Sequence, residues 1–201
     1  MRLLIALLVV ASTVGLAQED GPLTEADGAD FESALASLYR HVSESDNEST
    51  GLTTNRAIVL TQRALNGYLR FQGVSILPEG LSDVTVEIQE GGLVTAFGTV
   101  NLDEIDEFDA GPTGMLQFLS GSLPVSVAVA IEERDGALYF ALGDTQIGPV
   151  NVPAALAQLL IQQYSVNESY PTGIDLANPL LIPSVVEDIQ IQQGQITVVI
   201  K

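Results

Sequence analysis

The chain has 201 residues but no cysteine, no tryptophan, one histidine and only seven lysine or arginine residues. Without cysteine it can form no disulfide and no thiolate nucleophile, and one histidine cannot complete the usual zinc ligand sets. The 26 aspartate and glutamate residues give a formal net charge of −19. A strongly negative surface repels phosphate backbones and anionic lipid head groups, which excludes nucleic-acid binding as a function.

The N terminus has the pattern of a secretory signal peptide. Arg2 precedes an apolar run from Leu3 to Ala11, and Gly15 and Ala17 are small residues of the kind that a signal peptidase reads. The run falls short of the ~20 apolar residues that a membrane span needs, and an uncleaved anchor is the alternative. We predict cleavage after Ala17. An exported chain without disulfides fits a bacterial envelope, so we expect a periplasmic or secreted bacterial protein.

The remaining sequence predicts one domain behind a linker. Residues 18 to 29 are polar, carry Gly and Pro and lack periodicity, so they predict a flexible linker. Residues 30 to 201 suffice for a single domain with its own core. Asp30 is a candidate N-cap for an amphipathic helix over residues 30 to 42, and residues 57 to 201 predict a core of helix and sheet.

A short helix is predicted after Thr61, whose side chain can cap it. Leu65 and Leu69 then share one apolar face, and Gly73 ends the helix. The preceding residues 57 to 60 fit either a short strand or the first turn of a longer helix, and the sequence does not decide between these two.

Three hairpins follow, each indicated by alternating apolar and polar residues on both sides of a turn. The turns are Gly91-Gly92, Asp135-Gly136 and Gln193-Gly194. Pro153 stands where proline is tolerated at the start of a helix, which runs to about Tyr164. Short local joins favour antiparallel strands. We therefore predict an α+β fold in which a curved antiparallel meander sheet wraps one or two helices.

No constellation of residues indicates a reaction. His41 has neither a cysteine nor a Gly-x-Ser-x-Gly elbow to act with, and no glycine-rich phosphate loop is present. Pairs of carboxylates could act as acid and base, but 26 acids bring some pair together in any fold. Asp103, Asp106 and Asp109 lack the calcium-loop pattern and predict a solvated acidic loop. We expect a non-enzymatic protein without catalytic residues, metal or cofactor.

Several short motifs lie between residues 57 and 200. They are Thr61-x-x-x-Leu65-Asn66-x-x-Leu69, Leu77-Pro78-x-Gly80-Leu81-x-Asp83-Val84, the Gly91-Gly92 hairpin, Leu123-Pro124-Val125 and Ile147-Gly148-x-Val150-x-Val152-Pro153. In this order they resemble the exported bacterial LmeA-like and YpmS-like proteins. These proteins look like relatives of the tubular lipid-binding fold, in which a highly curved sheet wraps a helix and leaves an apolar groove.

The resemblance implies a site. The helix around Leu65 would pack inside the sheet, Asn66 would tie this helix to a strand by hydrogen bonds, and the N-terminal helix outside the matched region would cover the groove. The implied ligand is a lipid or another apolar small molecule. The residues that would line the groove are Leu65, Leu69, Val86, Phe97, Val127, Val129 and Phe140.

Composition and charge leave an alternative open. The 46% of apolar residues is, by composition alone, better explained as ordinary core. A strongly acidic surface also does not suit docking onto anionic membranes, which is a departure from the resemblance. The alternative function is a ligand-free structural or interaction domain of the envelope whose acidic surface meets a cationic partner. Transient membrane contact, the ligand and the oligomeric state stay open.

Overall fold

The computed structural model describes residues 21–45, 56–105, 118–166 and 171–201, without the side chains of residues 42–45. The predicted signal peptide and the acidic residues Asp106 and Asp109 lie outside these ranges. Within the described ranges no helix is long and apolar enough to cross a membrane. The elements there are α1 (Glu25–Ser45), β1 (Arg56–Thr61), α2 (Gln62–Phe71), β2 (Leu81–Ile88), β3 (Leu93–Asn101), β4 (Ser122–Arg134), β5 (Ala137–Ile147), β6 (Val150–Asn151), α3 (Ala154–Tyr164), β7 (Leu180–Leu181), β8 (Val186–Gln192) and β9 (Gln195–Ile200).

The strands of the described ranges form two antiparallel sheets, and the predicted α+β class is confirmed. The larger sheet is a meander in the order β2-β3-β4-β5-β6, with β7 also paired to β5. The smaller sheet has the order β1-β9-β8. The region left open before Thr61 is therefore a strand, and it pairs with a strand from the far end of the sequence.

Helix α1 begins earlier than the sequence prediction. The Thr24 hydroxyl accepts a hydrogen bond from the Asp27 N–H at 3.3 Å, and the Asp27 carboxylate accepts one from the Thr24 N–H at 2.6 Å. This reciprocal capping satisfies backbone donors that the first helical turn leaves unpaired. The predicted N-cap at Asp30 is wrong, and the last five residues of the predicted linker, 25 to 29, are helical.

Helices α1 and α2 cross at two glycines. A Cβ built on Gly67 would lie 2.7 Å from the backbone N of Gly28, so the close approach depends on the missing side chain. Beside this crossing the rings of Phe31 and Tyr68 stack with their centroids 4.8 Å apart. The Arg63 guanidinium binds the Asp27 carboxylate at 2.7 Å. The two helices are therefore joined by packing and by a charged pair.

Helix α2 lies along the outer edge of β2. Thr61 caps it as predicted, accepting a hydrogen bond from the Ala64 N–H at 3.1 Å. The Asn66 amide donates to the Val86 carbonyl at 3.0 Å, and its oxygen accepts from the Val86 N–H at 2.7 Å. The Gln62 side chain accepts from the Ile88 N–H at 2.8 Å. The predicted tie between Asn66 and a strand is confirmed, and α2 closes this edge of the larger sheet.

Among the described residues, two clusters of buried side chains hold the fold. The first joins the inner face of the smaller sheet to α1, α2, β2 and the start of β5. The second packs α3 against the other end of the larger sheet. The buried members of the first are Phe31, Leu38, Ile58, Leu60, Leu65, Leu69, Val86, Ile88, Leu138, Val185, Val186, Ile196, Val198 and Ile200, and those of the second are Ile147, Val152, Leu156 and Ala157.

Candidate ligand-binding face

An apolar band runs along the face of the larger sheet that continues the two clusters. Residues opposite each other on antiparallel strands point to the same side, so the register shows which residues share this face. Val129 of β4, for example, lies between Val94 of β3 and Leu142 of β5. We call this band the inner row. It consists of half-buried aliphatic and aromatic residues, Val94, Ala96, Val125, Val127, Val129, Ile131, Phe140 and Leu142.

The middle of the inner row lies between the two clusters. Val94, Ala96, Ile131 and Phe140 pack against the first cluster, and Val125 and Leu142 pack against the second. Of the described members of the row, Val127 and Val129 belong to neither cluster. The two valines at the centre of the row, on β4, are therefore partly exposed and belong to neither cluster.

The structure separates the groove residues predicted from the sequence into three sets. Val127, Val129 and Phe140 lie on the inner row. Leu65, Leu69 and Val86 are only 1%, 4% and 1% exposed and belong to the first cluster, so the prediction that they line an accessible groove is wrong. Their side chains have no free surface because α2 packs directly on β2 and on the smaller sheet.

The third set consists of Phe97 alone. The prediction that Phe97 lies on the inner face of the sheet is wrong. It pairs with Ser126, whereas the neighbouring Ala96 pairs with Val127. Because successive side chains of a strand alternate between faces, Phe97 points away from the inner row and is 39% exposed there. The prediction missed five members of the row, which are Val94, Ala96, Val125, Ile131 and Leu142. The cross-strand register of β3, β4 and β5 is what places these residues on the inner face.

The inner row carries little charge. At the described inward positions of β3, β4 and β5 the one ionisable side chain is Glu133, which is exposed and faces Leu138 across the ladder. The nearest cation in the sequence, Arg134, lies on the opposite face, with its guanidinium 4.2 Å from the centroid of the Tyr139 ring. The row is therefore apolar along its length, with an acid at one end.

A β-bulge interrupts the row on β5. The register between β4 and β5 shifts between Val127 and Val129, which leaves Gly143 and Asp144 of β5 opposite Ala128. Both bulge residues are exposed. The following residue, Thr145, faces Val127 and is 5% exposed, with its hydroxyl 3.5 Å from the Gly143 carbonyl. A Cβ built on Gly143 would lie 3.4 Å from the Cβ of Ala128, which is on the outward face, so the side-chain position of Gly143 points away from the inner row.

The shifted pKa values lie away from the row. Burial raises the pKa of Tyr68, and the charge of Glu32 adds to the shift. Burial alone would raise the pKa of Asp27, but hydrogen bonds from Arg63 and Thr24 outweigh it, so this pKa lies below its ordinary value of 3.8. Within the described ranges no group of three His, Cys, Asp or Glu residues is arranged to hold a metal ion. The Nδ1 of His41 donates to the Ser37 carbonyl at 2.7 Å.

Neither a protein-family model, nor a curated protein, nor a solved structure matches this chain.

Proposed function

We propose that this protein is an exported, non-enzymatic carrier that binds a lipid or another apolar ligand along the inner row. The observation that carries the proposal is the position of Val127 and Val129. Both valines are half-buried and face inward. Neither of them belongs to the first or the second cluster. An apolar ligand lying across them would join the two clusters into one continuous apolar layer.

The driving force is the removal of apolar surface from water. Covering such surface stabilises a complex by roughly 25 cal/mol per Å². Exposed apolar residues that occur singly need no explanation, but a contiguous band bounded by packed residues is typical of a ligand site. The cross-strand register makes the inner row contiguous, since Val94, Val129 and Leu142 lie side by side on three strands.

The first test is native mass spectrometry of the protein expressed from its full sequence and purified without detergent. We expect a mass above that of the polypeptide, with the difference released by extraction into organic solvent. A bare polypeptide mass that does not change after incubation with lipid vesicles contradicts the proposal. It would instead support the alternative, a ligand-free envelope domain that uses its net charge of −19 to meet a cationic partner.

Two neighbouring residues of β4 give a matched pair of variants. Val127→Phe fills the centre of the inner row, whereas Ser126→Phe adds the same ring on the opposite face, beside Phe97. We expect Val127→Phe to reduce the bound lipid at least fivefold and Ser126→Phe to leave it within twofold of the wild type. Equal losses in the two variants would place the ligand elsewhere. Circular dichroism and a urea melt show whether both variants are folded.

A further inference from the structure

We infer that Asn66-Gly67 is a deamidation site that the fold keeps closed, and that it reacts in chains whose helix α2 has separated from β2. Deamidation of an asparagine begins when the backbone nitrogen of the next residue attacks the side-chain amide carbon. A glycine in the next position favours this attack, because it has no side chain to hinder the approach and leaves the backbone free to turn. Of the seven asparagines in the chain, only Asn66 is followed by glycine.

The modification has two steps, and water is the only co-reactant. In the first, the Gly67 nitrogen bonds to Cγ of Asn66 and gives up its proton, while the bond from Cγ to Nδ2 breaks. Ammonia leaves, and a cyclic succinimide remains. In the second, water opens the ring at one of its two carbonyl carbons. Opening at Cγ gives aspartate, and opening at the backbone carbonyl gives isoaspartate, in which the main chain runs through the former side chain.

Strand β2 holds the amide group that must be attacked. The Asn66 amide donates to the Val86 carbonyl at 3.0 Å, and its oxygen accepts from the Val86 N–H at 2.7 Å. Side chains of an α-helix point back towards its N terminus, away from the nitrogen of the next residue. To bring Cγ to the Gly67 nitrogen, the side chain must turn and both hydrogen bonds to Val86 must break.

Helices α1 and α2 hold the attacking nitrogen. In an α-helix the N–H of Gly67 donates to the carbonyl four residues earlier, so the nitrogen is not available for attack. Gly67 is also buried at the helix crossing, where a Cβ would lie 2.7 Å from the Gly28 N and 3.0 Å from the Asp27 carbonyl carbon. Water has little access to this peptide bond. The folded protein therefore restrains both reacting atoms.

Neither product restores the original contacts. An ionised aspartate at position 66 has no N–H to donate to the Val86 carbonyl. Isoaspartate adds a carbon atom to the main chain inside α2, which displaces Gly67 from its close approach to Gly28. A chain that deamidates while α2 is open therefore refolds with lower stability. Prolonged unfolding becomes irreversible through this reaction.

The test compares the purified protein at pH 8 in buffer and in urea above its unfolding midpoint. Trypsin cuts after Arg63 and Arg70, and mass spectrometry of the peptide 64–70 gives the deamidated fraction. We expect the rate in buffer to be at least twentyfold lower than in urea, because α2 opens only transiently in the folded protein. Similar rates would overturn the inference, and so would an intact Asn66 after long incubation in urea.

The chemistry has its own control in urea, where the outcome does not depend on folding. Gly67→Ala places a methyl group beside the attacking nitrogen and should slow the reaction at least fivefold. An unchanged rate in this variant would mean that the loss of ammonia does not proceed through the succinimide, which would also overturn the inference.

Two threonines give a matched pair of variants. The Thr61 hydroxyl caps α2, whereas Thr172 is an exposed residue beyond α3. Thr61→Ala should raise the rate of deamidation in buffer roughly fivefold, because the lost cap favours opening of α2. Thr172→Ala should change this rate less than twofold. In urea both variants should react at the rate of the wild type. Equal rates of the two variants in buffer would mean that α2 does not control the reaction.

Discussion

The side-chain amide of Asn66 binds both backbone groups of Val86, donating to its carbonyl at 3.0 Å and accepting from its N–H at 2.7 Å. A neighbouring strand would make the same pair of contacts. Asn66 thus stands in for a missing strand at the edge of the larger sheet. Unpaired edges promote association between copies of a chain, and this amide closes part of such an edge.

Replacing Asn66 by Ala should lower the free energy of unfolding by about 2–4 kcal/mol, because two polar groups of a buried residue lose their partners. A urea melt followed by circular dichroism measures the change. The exposed Gln163→Ala substitution on α3 is the control and should cost less than about 0.5 kcal/mol. A loss in Asn66→Ala no larger than that of the control would mean that solvent replaces both hydrogen bonds.

Asn66→Asp should show a cost that depends on pH. An ionised carboxylate accepts from the Val86 N–H but cannot donate to the Val86 carbonyl, whereas a protonated carboxyl can do both. The stability deficit relative to the wild type should therefore be larger at pH 7 than at pH 3. Urea melts of the two proteins at both values test this expectation. A constant deficit would show that the donation to the Val86 carbonyl contributes little.

The Asp27 and Arg63 pair predicts a second pH dependence. The pKa of Asp27 lies below its ordinary value in the folded protein, so the ionised carboxylate stabilises the fold. This contribution is present above the ordinary, unfolded pKa of 3.8 and is lost as the pH falls through the lower folded pKa. Asp27→Asn should cost about 1 kcal/mol at pH 7, since the pair is partly exposed. The destabilisation caused by Asp27→Asn should become smaller as the pH falls towards 2.

The control for this experiment is Asp30→Asn, which removes a charge from an exposed position of the same helix. We expect this variant to differ little from the wild type at either pH. If Asp27→Asn and Asp30→Asn gave the same profile, the effect would come from net charge and not from the contact with Arg63.

The crossing of α1 and α2 predicts opposite outcomes for two glycines. A Cβ on Gly67 would meet backbone atoms of α1, at 2.7 Å from the Gly28 N and 3.0 Å from the Asp27 carbonyl carbon. Gly67→Ala should be destabilising, because an overpacking cost of about 1–3 kcal/mol exceeds the at most ~1 kcal/mol gained in helix propensity. A Cβ on Gly28 would meet the end of the flexible Gln72 side chain, which can rotate away.

We therefore expect Gly28→Ala to be less destabilising than Gly67→Ala by about 1 kcal/mol or more, since side chains adjust more readily than backbone. Thermal unfolding of the two variants gives the comparison. Equal midpoints would show that the helices can separate at their crossing without loss.

The export prediction has a direct test. Expression in a bacterium should yield a protein whose N-terminal residue is Gln18, as measured by intact mass and N-terminal sequencing. Ala17→Leu should block this cleavage, because the peptidase requires a small residue at that position. A chain that keeps Met1 and remains in the membrane fraction would favour the alternative of an uncleaved anchor.

The sequence predicted those features that depend on neighbouring residues. The turns at Asp135-Gly136 and Gln193-Gly194, the strands on both sides of them and the Thr61 cap all occur as predicted. The backbone at Asp135 and Gly136 has φ values of 53° and 71°, as a tight hairpin turn requires. The pairing of β1 with β9 was not predicted, since no local pattern shows which distant strand a segment joins.

For the candidate site, too, the sequence predicts local features but not those that depend on distant parts of the chain. Alternation separates Val127 and Val129 from Ser126 and Ala128, so the inward side of β4 can be predicted. Alternation does not distinguish an inward residue under a helix from one that remains accessible. Val86 and Val127 have the same pattern in the sequence, but only Val86 is covered by α2. That difference depends on where the helix docks, which is a property of the whole fold.

The pairing of β1 with β9 has a consequence for when the protein can fold. Leu60 of β1 and Ile196 of β9 lie side by side on the inner face of the smaller sheet, although most of the chain separates them in sequence. Contacts of such long sequence separation form late, because closing a long loop costs entropy before any contact repays it. The first cluster thus cannot assemble until β9 has been synthesised. A chain made from its N terminus would therefore lack its complete core until residues 195–200 are made, although the larger sheet and the second cluster need no strand beyond β7.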